Sequence, residues 1–118
     1  MKRRYWTRPA TASRYEIIDF IAEANPTKAQ SYIETTTAVL LGFDERFLPH
    51  RPEPDDLPDV FQARVPGFAG YTVWVAVTDD AVAIVGAFRP GLSTGQKLRR
   101  ARVGFADLRG PHDPDNPD

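Results

Sequence analysis

An α+β domain, with a helical hairpin packed on a small antiparallel β-sheet, is the fold class this sequence predicts, and three observations carry it. Two stretches with helical three-and-four apolar spacing meet at a single Asn25-Pro26 corner, and two later stretches alternate in period two around Asp79-Asp80. The third observation is size. At 118 residues and 42% hydrophobic, the chain can bury one core and is too short for two.

Each element has a local reason. Residues 4–7 read as a short edge strand ended by Pro9, which cannot donate to a ladder. A helix is expected over residues 11–24, with Ile17, Phe20, Ile21 and Ala24 on its apolar stripe. Asn25 then reads as an N-cap, with Pro26 at the first helical position, where the missing N–H costs nothing. The second helix continues through Ala29, Tyr32, Ile33, Thr36, Leu40 and Phe43, with Gly42 as its expected C-cap. The run of Thr35, Thr36 and Thr37 lowers its intrinsic helicity, so packing must hold it.

Residues 49–59 contain four prolines and four acidic residues, which excludes a central strand or regular helix and predicts a surface loop. Residues 60–65 form the next expected strand, and Pro66-Gly67 breaks it. Over residues 71–78, Tyr71, Val73, Val75 and Val77 share one face and Thr72, Trp74, Ala76 and Thr78 the other, the pattern of a half-buried strand. After the Asp-Asp turn, residues 81–88 return as its partner, with Val82, Ile84 and Phe88 on one side. The character changes beyond residue 91, so the chain divides into a 1–91 domain and a 92–118 extension. In that extension Ser93 or Thr94 caps a short basic helix, and the tail after residue 109 is too polar and proline-rich to order itself.

Composition limits the chemistry. There is no cysteine, and His50 and His112 stand apart, so no metal site and no cofactor are expected. No apolar run approaches a membrane span, which predicts a cytoplasmic protein without membrane attachment. The net charge of −1 conceals segregation: cations gather in Lys2, Arg3, Arg4, Arg8 and Arg14 and in Lys97, Arg99, Arg100 and Arg102, and acids in the proline-rich loop and the tail. The second cluster is a candidate partner-binding surface for an acidic protein or target.

The segment RYEIIDFIAEANP at residues 14–26, followed about forty residues later by YTVWVAVTDDAVAI at residues 71–84, resembles the RelE/ParE superfamily of small toxins from type II toxin-antitoxin pairs. The resemblance runs over roughly residues 3–91. It implies a toxin neutralised by a cognate antitoxin in a hetero-oligomer, and two branches of activity are open. The RelE-like branch cuts messenger RNA on the ribosome, and its candidate catalytic residues here are Arg64, Tyr71 and Arg89. Arg89 stands where many members have histidine, and a guanidinium that stays protonated binds phosphate but shuttles protons poorly. The incomplete acid–base set favours the ParE-like branch, which acts by binding, with DNA gyrase as the implied target. A non-toxic interaction module on the same scaffold is the third reading. Ile33, Leu40, Leu41, Phe43, Phe47 and Leu48 are the residues expected to line the antitoxin surface, because they exceed what one helical stripe can bury.

Overall fold

The computed structural model of the chain describes residues 2–43 and 60–109. Its elements run β1 (Arg3–Trp6), α1 (Arg8–Ala24), α2 (Pro26–Gly42), β2 (Val60–Arg64), β3 (Thr72–Val77), β4 (Ala81–Phe88) and α3 (Thr94–Arg109). The proline-rich loop, the acidic tail, and with them Phe47, Leu48, His50 and His112, lie outside the described residues.

The α+β class holds, with one correction to the sheet. Strand order is β1-β4-β3-β2; β2, β3 and β4 are antiparallel neighbours, but β1 pairs parallel with β4, so the sheet is mixed. Four residues of strand carry no signal of direction. It is set by the Arg3 N–H donating to the Asp80 carbonyl (3.0 Å) and the Thr7 N–H to the Ile84 carbonyl (3.0 Å).

The first helix begins at Arg8, earlier than its apolar spacing suggests. Pro9 occupies the first turn, where its absent N–H is no loss, and the Thr7 hydroxyl caps the helix by accepting from the Ala10 N–H (3.4 Å). Its buried line is Ala10, Ile17 and Ile21. Phe20 and Ala24, expected on that stripe, are exposed, because the packed face is rotated toward Ala10 and Arg14. Asn25 makes the corner as expected. Its N–H donates to the Ile21 carbonyl (2.9 Å), ending α1, and its Oδ1 accepts from the Lys28 N–H (3.1 Å), starting α2.

At the far end of α2, Gly42 remains helical and Phe43 is the cap. A left-handed glycine is not needed there because the Arg4 guanidinium donates to the Leu40 and Phe43 carbonyls (2.8 and 3.0 Å), satisfying groups a helix end leaves open. Threonine tolerance inside α2 has a similar basis. The Thr36 and Thr37 hydroxyls donate to the Tyr32 and Ile33 carbonyls (2.8 and 2.9 Å) and face the Arg14 guanidinium.

Strands β3 and β4 are buried along their whole length, so the half-buried pattern expected for residues 71–78 is corrected: both faces are covered. Val73, Val75, Val77, Val82 and Ile84 meet Ile17, Ile21, Tyr32 and Leu40 of the hairpin. On the other face Val60, Trp74, Val85 and Phe88 meet Leu98 and Ala101 of α3. The helix that follows the compositional change at residue 91 is thus packed into a second core.

A register shift explains where Phe88 goes. Trp74 pairs with Gly86 but Val75 pairs with Ile84, leaving Val85 as an extra residue on β4. Alternation reverses across it, so Val82 and Ile84 face the hairpin while Phe88 faces α3, against the expectation that all three share a side. The Phe88 ring packs edge-on to Trp74 at 5.4 Å and lies over Gly86, where a Cβ would meet it at 2.5 Å.

Gly104 lets α3 come this close, because a Cβ there would fall on the Val85 carbonyl oxygen. Gly104→Ala gains about 1 kcal/mol of helix propensity but forces the helix off the sheet, so we expect a net loss of about 2–3 kcal/mol in urea unfolding. Gly95→Ala, in the first turn of the same helix with only the Ser93 hydroxyl nearby at 3.9 Å, should be neutral or slightly stabilising.

Candidate functional site

On α2, Ala38 and Gly42 are small, exposed and four residues apart. With Glu34 one turn earlier they border a depression beside β2, lined also by Val39, Phe43 and Ala63. The groove measures about 900 Å³. Its lining is mainly apolar, with Glu34 on the helix side and Arg64 on the strand side. Among the described residues β2 pairs with β3 alone, so its outer edge carries no strand partner among them along this groove. An apolar trough beside an open strand edge is suited to an extended or helical polypeptide segment.

Of the residues expected to line an antitoxin surface, Phe43 does line this groove, although only 4% of it is exposed. Leu40 belongs to the core between hairpin and sheet, Ile33 is half-buried with its carbonyl accepting from Arg14 (2.8 Å), and Leu41 is 63% exposed outside the groove. The residues that sequence reasoning missed are Ala38, Val39, Gly42 and Ala63. For Ala38 and Gly42 the signal was a pair of small residues at four-residue spacing, which a search for large apolar side chains passes over.

The three catalytic candidates come to one end of the sheet, each in a different setting. Arg64 pairs with Thr72 and Thr72 with Phe88, so Arg64, Tyr71 and Arg89 end neighbouring strands together. Tyr71 turns toward the hairpin, packing edge-on to Tyr32 and Phe68 at 5.9 and 6.0 Å. Arg89 lies 4.4 Å over the Phe20 ring of α1, in a cleft of about 560 Å³ shared with Glu16, Asp19, Glu23 and Arg100. Arg64, exposed at the end of the edge strand, lines the groove beside α2, and two residues before it the Gln62 side-chain oxygen accepts from the buried Trp74 indole (3.1 Å). Among the basic candidates of α3, Arg99, Arg100 and Arg102 are exposed and Lys97 is half-buried, while Leu98 and Ala101 face inward.

Arg14 and Tyr32 form a polar centre inside the hairpin. The Arg14 guanidinium donates to the Ile33 carbonyl and the Thr36 and Thr37 hydroxyls (2.8, 2.9 and 2.9 Å) and stacks 4.3 Å over Trp6. Burial lowers its pKa, opposed by Tyr32 and Tyr15. Burial pushes the Tyr32 phenol up to about 12, with Arg14 pulling it down and Tyr71 pushing it further up. The Tyr32 hydroxyl has no hydrogen-bond partner among the described residues.

A chain of the chromosomal ParDE TA system from P. aeruginosa shares this fold, with a TM-score of 0.60 at 20% sequence identity over 77% of this chain and 98% of that one. At that identity the likeness is one of fold. No protein-family model and no curated protein matches the sequence. Among the described residues no helix is long and apolar enough to cross a membrane.

An unfolded tyrosine ionises near pH 10, and Tyr32 in the fold near 12. Between these values the unfolded chain sheds a proton that the native state keeps, so stability intact below pH 10 should fall as pH rises toward 12. Chemical denaturation from pH 9 to 12 should show this slope in the parent and a flatter one in Tyr32→Phe. At pH 7 that variant should stay within about 1 kcal/mol of the parent, since the lost hydroxyl satisfied nothing.

Proposed function

We propose that this chain is the toxin of a type II toxin-antitoxin pair, held inactive by a cognate antitoxin seated in the groove between α2 and β2. The observation that carries the reading is that groove, an apolar trough with an open strand edge on a ParE-like fold. The antitoxin segment supplies backbone pairing to β2 and apolar side chains to the small-residue row of α2. Arg64 and Glu34 give it charged ends to register against.

Activity by binding, with DNA gyrase as the target, is favoured over messenger RNA cleavage. A ribonuclease must place its base, its acid and the cations that stabilise the phosphorane around one phosphate. Here Tyr71 packs among the aromatic rings of the hairpin, Arg89 lies over Phe20 of α1, and Arg64 lines the groove beside α2, so the three candidates sit in different settings. The exposed cations of α3 form a second surface for an acidic stretch of antitoxin or target.

Co-expression with the product of the neighbouring reading frame tests the pairing. A stable complex should elute from size exclusion, and Ala38→Trp, which fills the groove from an exposed helix position, should weaken it by about 100-fold with an unchanged unfolding midpoint. Leu41→Ala, outside the groove, should leave affinity within a factor of about 3. A complex indifferent to Ala38→Trp contradicts the proposed seat, and no complex contradicts the pairing. On the target side, the free protein should inhibit gyrase supercoiling and leave translated messenger RNA uncut. Codon-positioned cuts lost in Arg64→Ala would favour the ribonuclease.

A further inference from the structure

The first fifteen residues carry five cations, three aromatic residues and no carboxylate, in a chain whose net charge is −1. Folding brings part of this set together. Arg8, Thr11, Ala12 and Tyr15 occupy one stripe along the first two turns of α1, and with Trp6 they line a depression of about 500 Å³. Among these residues Thr11 and Ala12 are small, Trp6 is half-buried, and Arg8 and Tyr15 are exposed. The Arg14 guanidinium lies 4.3 Å over the Trp6 ring, fixed by its bonds to α2, and adds charge beside the depression. Tyr15 is 63% exposed, a large aromatic held in solvent.

We propose that this depression binds single-stranded nucleic acid, one base stacking on the exposed Tyr15 ring beside Trp6 while a flanking phosphate meets Arg8. Small residues, two aromatic rings and an exposed cation in one depression match the division of labour in sequence-tolerant single-strand binding, where bases stack and the backbone follows positive charge. A duplex, whose bases are already stacked on each other, cannot offer the same contact. The Asp107 carboxylate accepts from the Arg8 backbone N–H (3.2 Å) and offsets part of the charge. Binding should therefore be modest, with few phosphate contacts and a shallow salt dependence. The site lies at the β1 end of the strand order and the α2–β2 groove at the other, so it stands independently of the antitoxin reading.

The test uses the full chain and fluorescently labelled RNA and DNA oligonucleotides of about twelve residues, within the span one small domain covers. A duplex of equal length, heparin and polyglutamate serve as competitors. Trp74 is 1% exposed, so quenching of intrinsic fluorescence reports on Trp6. Either single strand should quench it and bind at micromolar concentration. Tyr15→Ala should lose about tenfold and Tyr15→Phe should keep parental affinity, while Arg8→Gln should weaken binding and reduce the salt slope by about 0.7. Several results overturn the proposal: no quenching, equal affinity for the duplex, Tyr15→Ala binding like the parent, or heparin binding equally sensitive to Tyr15. Polyglutamate bound more tightly than either oligonucleotide would instead make the surface a docking site for acidic protein.

Discussion

Burial of β3 and β4 on both faces is the constraint on which the rest of the structure depends. A strand pair covered on both sides needs two separate layers, here the α1–α2 hairpin and α3, and large side chains on each: Val73, Val75 and Ile84 toward one, Trp74 and Phe88 toward the other. At about 1.5–3 kcal/mol for each large apolar side chain withdrawn from water, neither layer is dispensable. Open surface is displaced to the sheet's edges. The β1 edge is lined with cations that discourage strand pairing, and the β2 edge opens into an apolar groove.

The hairpin layer depends on a charged group in an unusual setting. Arg14 is half-buried, and the partners it meets are neutral: a carbonyl, two hydroxyls and an indole face. These contacts link α1, α2 and β1 through one side chain. They also explain how a helix can carry Thr35, Thr36 and Thr37 in its middle, since two of the hydroxyls are acceptors for Arg14. The same guanidinium that ties the hairpin together covers Trp6 and shapes the cationic depression beside it.

Local chemistry was legible in the sequence, and features set by distant contacts were not. Asn25-Pro26 could be read as a corner because cap and proline act within a few residues, and the strands could be read from their alternation. Phe88 was placed on the wrong face because a one-residue bulge leaves the composition of β4 intact; Gly86 was the only local hint, as glycine inside a strand often marks such a site. The second core was hidden because the cations of α3 mask the inward pair Leu98 and Ala101. The groove was missed for the opposite reason: Ala38 and Gly42 shape it through missing volume, whereas the large residues proposed for it, such as Leu40, were needed in the core.

The claim that a partner polypeptide sits between α2 and β2 is tested most directly by amide hydrogen exchange on the protein alone and in complex with its partner. The account predicts that slowing on binding is centred on β2 and on the last two turns of α2, since those amides border the groove and the open edge. Slowing confined to the basic face of α3, with β2 exchanging as in the free protein, would contradict it.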